Sequence, residues 1–114
     1  MDDKLKEEWT KVEKMITEKF GEDIDVRGIL FLIGVQELGK GYKKFSKDQK
    51  LEVIHIAICK LLSQYNYYEY MGVDEDGWPH YRETKKLPTL KPGEQLKVMK
   101  SAIVEYFKEN ETLI

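Results

Sequence analysis

All three prolines of this 114-residue chain lie close together, at positions 79, 88 and 92. Proline has no backbone N–H and its ring clashes with the preceding turn, so it breaks a helix when it stands in the interior. Long helices are therefore favoured before position 79 and after position 92, but not between them. Because no repeat, low-complexity tract or Gly/Ser linker divides the sequence, we predict a single domain over residues 1–114 with one long irregular connection.

Four segments outside that connection carry apolar side chains at helical spacing. In the first, Leu5, Trp9, Val12, Ile16 and Phe20 recur at intervals of three or four residues. Such a stripe occupies one face of an amphipathic helix and must be buried against another element. We therefore predict a mainly α, all-helical class, namely a four-helix bundle-like domain with a hairpin-like connection at about 67–91. The predicted helices span about 3–20, 26–38, 47–66 and 92–109.

Capping residues mark the ends of the second and third predicted helices. Asp25 is a favourable N-cap and Gly39 a favourable C-cap for the second helix. Ser46 and Gln49 have the spacing of a capping box at the start of the third. These signals fix the loops on either side of the second helix as short, which favours antiparallel neighbours.

The second predicted helix is apolar on all sides in its middle, so we expect it to be the central, buried helix. Gly28 and Gly34 lie inside it. Each glycine weakens a helix by about 1 kcal/mol relative to alanine. The simplest explanation for both is that neighbouring elements pack close to the backbone at these positions.

The third predicted helix has an apolar face and an opposite polar arc that contains Glu52, His55 and Cys59. Ile56 falls inside this polar arc. An apolar side chain among polar ones is a candidate contact for a partner, and we interpret Ile56 in that way. The residues predicted to face the core are Leu51, Ile54, Ile58, Leu61, Leu62 and Tyr65.

The connection after the third helix is rich in aromatic residues. Tyr67 to Val73 and Trp78 to Glu83 have the composition of two short strands around an Asp-Gly step, which is a strong hairpin signal. Tyr and Trp anchor interfaces, but the same rings could equally close one end of a small bundle. The candidate interaction residues are Ile56, Tyr67, Tyr68, Tyr70, Trp78 and Tyr81.

An acidic turn lies inside this hairpin and gives a second candidate site. Asp74, Asp76, His80 and Glu83 bring three carboxylates and an imidazole within ten residues, and hard cations bind clustered carboxylates. The EF-hand pattern is not met, because its first position would be Gly72. The alternative is a solvated turn in which aspartate side chains accept hydrogen bonds from nearby backbone N–H groups.

His55 and Cys59 stand four residues apart on one helical face. That spacing would let both contact one metal ion, or let the imidazole activate the thiol. Two ligands do not complete a zinc site, and His80 would have to approach from the hairpin to add a third. The alternative is a half-exposed histidine beside a small, unreactive cysteine.

Lysines cluster where the third helix begins. Lys40, Lys43, Lys44, Lys47 and Lys50 could hold an anion together with the backbone N–H groups of the helix start. The net charge of −2 argues against a broadly cationic nucleic-acid binder, so nucleic acid is not the favoured partner. A solvated loop between helices is the alternative.

The segments Ile54–Leu62, Tyr67–Tyr70 and Asp74–His80 resemble an uncharacterised family of small multihelical bacterial proteins. The similarity covers about residues 28–107, and its most recognisable segment is the Asp-Glu-Asp-Gly-Trp-Pro turn. The resemblance implies an all-helical fold. It implies no activity, cofactor or catalytic residue.

Function must therefore be argued from the candidate sites. No secretory signal or membrane-length apolar run is visible, and the single cysteine fits a reducing compartment, so we expect a cytoplasmic protein with no membrane partner. No nucleophile motif or phosphate loop is present, so we expect no cofactor and favour a function other than catalysis. The leading hypothesis is an interaction or regulatory module that binds a protein partner or a second copy of itself. The first alternative is a metal-binding protein or a small metal-dependent enzyme that uses the acidic turn. The second is binding of an anion or of nucleic acid through the patch from Lys40 to Lys50.

Overall fold

The computed structural model describes residues 3–39 and 44–109. It has four helices with an antiparallel pair of strands between the third and the fourth, so the predicted mainly α single domain is confirmed. The elements are α1 (Asp3–Phe20), α2 (Val26–Leu38), α3 (Lys47–Ser63), β1 (Tyr68–Val73), β2 (Pro79–Glu83) and α4 (Pro92–Glu109).

The predicted caps are present. The Asp25 carboxylate accepts a hydrogen bond from the Gly28 N–H at 2.8 Å, and Gly39 ends α2 in the left-handed conformation with φ of 72°. Ser46 and Gln49 exchange the two hydrogen bonds of a capping box. The predicted end of α3 at residue 66 is too late by three residues. Chain reversal into the hairpin requires turns at 64–66, which break the helical ladder.

The main core is built by apolar side chains from all four helices. The stripe of α1 packs on α4, with Leu5, Trp9, Val12 and Ile16 buried as predicted. Tyr106 of α4 is completely buried in this core. A second, smaller cluster joins α2, α3 and the loop between them, and the side chains of Phe31 and Trp78 pack against it. Its buried members are Val35, Leu38, Phe45 and Val53.

The prediction for the faces of α3 is confirmed for the core residues Ile54, Ile58, Leu61, Leu62 and Tyr65, which are buried or pack against the core. It is wrong for Leu51 and for the opposite arc. Ile56 is 5% exposed and Cys59 2% exposed, whereas Leu51, assigned to the core, is 50% exposed. The physical reason is that α3 packs on α2 and α4 and also on both strands. The hairpin covers the polar arc that the sequence pattern predicts to face solvent. Ile56 is therefore buried and is not an exposed contact for a partner. α2 is heavily buried as expected, but α3 is the helix with the most neighbouring elements.

The hairpin has an irregular register. Tyr70 lies opposite Tyr81, but the next pair is Gly72 with His80, which leaves Met71 as a bulge. The turn between the strands is closed by the Gly77 N–H, which donates to the carbonyl oxygen of Asp74 at 3.0 Å.

Candidate functional site

The aromatic side chains of the hairpin divide into covered and uncovered groups. Tyr68 and Tyr81 lie on the face that packs on α3, and both are half-buried. Burial raises the pKa of Tyr81 to about 12, and the nearby Glu37 acts in the same direction. Tyr67 is also half-buried, with the Lys85 ammonium 4.5 Å from its ring centroid.

Trp78 attaches the hairpin to the bundle. Its ring meets Phe45 edge to face with centroids 6.3 Å apart, and Phe45 meets Phe31 in the same way at 5.9 Å. Edge-to-face pairs add about 1 kcal/mol to the burial of the rings. Trp78 is therefore partly buried against the smaller core cluster, and only part of its side chain faces solvent.

Tyr70, Met71 and Val73 form an uncovered apolar surface, which we call the hairpin patch. They are 55%, 55% and 59% exposed. Cross-strand partners share a face, so the register places Tyr70 and Val73 on the side of Tyr81 that packs on α3. The Tyr70 ring stacks edge to face on Tyr81 at 5.5 Å. Tyr70 and Val73 thus share a face with Tyr81 but remain more than half exposed.

Two of the predicted sites meet in one cleft. A volume of about 480 Å³ lies between α3 and the hairpin, and His55 and Cys59 line it on one side while Asp74 and His80 line it on the other. The Cys59 Sγ lies 3.4 Å from the His55 Nε2, as the spacing of four residues predicts. The His80 Nε2 lies 2.8 Å from the Asp74 Oδ2.

In the acidic turn, the Asp74 carboxylate stabilises the turn itself. Asp74 accepts hydrogen bonds from the backbone N–H groups of Asp76 and Trp78 and pairs with His80, and these contacts lower its pKa. Glu83 lies opposite Tyr68 at the far end of the strands from the turn. The predicted metal set of Asp74, Asp76, His80 and Glu83 is therefore not assembled. Within residues 3–39 and 44–109, no group of three or more His, Cys, Asp and Glu side chains is arranged to hold a metal ion.

Cys59 is a thiol at neutral pH, because burial raises its pKa to about 11. The His55 contact does not offset this effect. A thiolate, not a thiol, is the nucleophile in cysteine catalysis. The pair therefore lacks the electrostatics of an activated nucleophile.

Alkylation of Cys59 by iodoacetamide tests this conclusion. At mildly alkaline pH, we expect the folded protein to react on the order of a hundredfold more slowly than the urea-unfolded chain, because burial suppresses the thiolate and blocks access. The chain has one cysteine, so the mass increase reports this residue alone. Glutathione is the reference for an unhindered thiol, and native labelling as fast as that of glutathione would contradict the assignment.

The predicted anion site is described only in part. Lys40 and Lys43 lie outside the described residues, and Lys44, Lys47 and Lys50 are exposed. Lys47 and Lys50 line a groove of about 430 Å³ between the first halves of α2 and α3. We call it the basic groove. It is lined by Asp25, Arg27, Gly28, Phe31, Lys47, Lys50, Leu51 and Ile54.

Sequence reasoning missed four residues of these surfaces. Met71 and Val73 of the hairpin patch were not singled out, although Gly72 inside the strand pattern was an available signal for a bulge beside them. Arg27 joins the lysines only through the packing of α2 on α3. Leu51 was assigned to the core because it continues the stripe of Ile54 and Ile58 at helical spacing, and no sequence signal indicated its exposure.

No helix in the described ranges combines the length and apolar character that crossing a membrane requires. Comparison of the chain with protein-family models, with curated proteins and with solved structures found no match. The resemblance to small multihelical bacterial proteins stays a prediction.

Proposed function

We propose that this protein is a small cytoplasmic interaction module that associates with a second copy of itself through the hairpin patch. The observation that supports the proposal is the exposure of Tyr70, Met71 and Val73 on one short strand. Six large apolar side chains are exposed in the described residues, and three of them lie within the four positions 70–73. Such a concentration is typical of contact surfaces, whereas single exposed apolar residues are common on any protein.

The hairpin is suited to this role because side chains of its turn and strands hold it on the bundle while the hairpin patch stays exposed. Trp78 packs on Phe45, and Tyr68 and Tyr81 cover α3, so the strands have a fixed position. A contact surface that is held in place before binding loses less conformational entropy when it binds. Full burial of a side chain such as Val or Met contributes about 1.5 to 3 kcal/mol. Because the side chains of the patch are about half exposed, burying them on association yields a substantial fraction of that free energy.

The cleft with His55 and Cys59 supports no catalytic proposal of equal weight. Its sulfur is protonated at neutral pH, and its Asp74 is committed to hydrogen bonds within the turn. Self-association is therefore the function that the geometry favours most.

Sedimentation velocity over a series of protein concentrations tests the proposal. We expect a reversible shift from monomer to a larger species, and we expect Val73→Ser to weaken that association about tenfold, which corresponds to about 1.4 kcal/mol. The reason is that serine removes apolar area from the patch without disturbing a core residue. Tyr70→Ser is a second variant of the same surface.

Leu96→Ser is the matched control, because Leu96 is 44% exposed on α4 and lies outside the patch. It should associate like the unaltered protein. Circular dichroism shows whether each variant remains folded. A single species of monomer mass at every concentration would overturn the proposal, and association that is insensitive to both hairpin variants would place the contact elsewhere.

A further inference from the structure

The basic groove is an apolar depression with a positive rim. Phe31, Leu51 and Ile54 supply apolar side chains, and Leu51 leaves half of its surface exposed to solvent. Arg27, Lys47 and Lys50 supply three cations at the rim. An exposed apolar floor bordered by charge of one sign indicates a surface that binds an apolar segment carrying the opposite charge.

The cations of this groove are not neutralised by the residues that the structure describes. Arg27, Lys47 and Lys50 are exposed, and none forms an ion pair with a residue in those ranges. Asp25 is the one carboxylate among the described lining residues, so the lining carries three cations and one anion. The groove therefore presents a net positive charge.

The tip of the hairpin has the complementary chemistry. Val73 is 59% exposed, and three exposed acidic residues follow it in the chain. An apolar side chain of the hairpin patch is thus directly followed by a cluster of negative charge. The acidic residues are Asp74, Glu75 and Asp76.

We infer that the basic groove of one copy receives the hairpin tip of a second copy, with Val73 on the apolar floor and the acidic turn against the lysines. This inference rests on the proposed self-association and identifies the surface that the hairpin patch contacts. Charge complementarity between the two surfaces selects the second copy as occupant and fixes the orientation in which the tip enters.

The two surfaces adjoin on one molecule. Phe31 lines the groove, and its ring contacts Phe45, which in turn contacts Trp78 in the turn of the hairpin. When a donor surface and an acceptor surface lie side by side, a two-fold axis lets each copy insert its own hairpin and accept that of its partner. The exchange forms a closed dimer with two equal contacts, not an open chain.

A charge swap tests this arrangement by sedimentation velocity. Lys50→Glu places a negative charge in the groove, and Glu75→Lys places a positive charge on the tip, so we expect each single variant to weaken association about tenfold or more. Because the two charges meet in the dimer, the double variant should recover most of the original affinity. Association of the unaltered protein should also weaken as salt is added.

Lys14→Glu on α1 is the control, because it makes the same charge change on an exposed helix face outside the groove. If both single variants associate normally while Val73→Ser does not, the hairpin patch is the contact surface and the groove is not its acceptor. If the double variant fails to recover, the two charges do not meet and the inference is wrong. If the unaltered protein is a monomer throughout, the proposed function fails together with this inference.

Discussion

Gly34→Ala is expected to destabilise the fold by about 3 kcal/mol, the upper end of what overpacking a core costs. Gly34 is buried where α2 packs on α3, and a Cβ there would overlap the carbonyl oxygen of Val53 and lie 2.6 Å from its Cγ1. The carbonyl belongs to the backbone of α3, so it cannot move away as the end of a flexible side chain can. Alanine is the better helix former by about 1 kcal/mol, which offsets only part of the loss.

Urea unfolding followed by far-UV circular dichroism measures this effect. Gly93→Ala is the matched control, because Gly93 also lies in a helix and a Cβ there meets nothing within 4 Å. We expect the control to be neutral or to gain up to about 1 kcal/mol, since alanine lowers the conformational entropy of the unfolded chain. If Gly34→Ala unfolds at the same urea concentration as the unaltered protein, the two helices do not approach as closely as the geometry at Val53 requires.

Helices that bury a single face could be predicted from sequence alone. α1 packs on α4 through one stripe, so the spacing from Leu5 to Ile16 describes it fully. The caps at Asp25, Gly39 and Ser46 depend on local hydrogen bonds, which is why the predicted bounds of α2 and the start of α3 are confirmed. The close approach predicted for Gly34 is also confirmed.

The burial of the polar arc of α3 could not be predicted because it depends on contacts between distant segments. A helical wheel assumes that polar positions face solvent, but the hairpin covers the arc that contains Ile56 and Cys59. The pairing of His55 with Cys59 follows from their spacing of four residues. The approach of His80 and Asp74 to the same cleft is tertiary and leaves no local signal.

The hairpin itself shows the same division between local and distant effects. Its Asp-Gly turn and both strands could be located to within a residue. The bulge at Met71 shifts the register, and this shift decides that Val73 shares a face with Tyr70. The aromatic rings of the hairpin therefore differ in burial. Trp78 packs on Phe45, whereas Tyr70 is 55% exposed.

Removing the side chain of Tyr106 should have the second large effect on stability. The ring is fully buried among the helices, so Tyr106→Ala is expected to cost about 4 kcal/mol through lost packing and the resulting cavity. Its hydroxyl also joins α4 to α2, accepting from the Gln36 Nε2 at 2.7 Å and donating to the Glu37 Oε2 at 2.7 Å. Tyr106→Phe keeps the ring but removes these two bonds, and should cost about 1 to 2 kcal/mol.

The pH dependence of stability separates the contribution of the hydroxyl from that of the ring. Burial raises the pKa of Tyr106, and its hydrogen bond to Glu37 acts in the same direction. The folded protein therefore holds a proton that the unfolded chain releases above the ordinary tyrosine pKa of about 10, so stability is retained below that pH and falls as pH rises beyond it. Urea unfolding at alkaline pH should show a shallower decline for Tyr106→Phe than for the unaltered protein, because phenylalanine has no proton to lose. Equal slopes for the two proteins would mean that the hydroxyl is not held between Gln36 and Glu37.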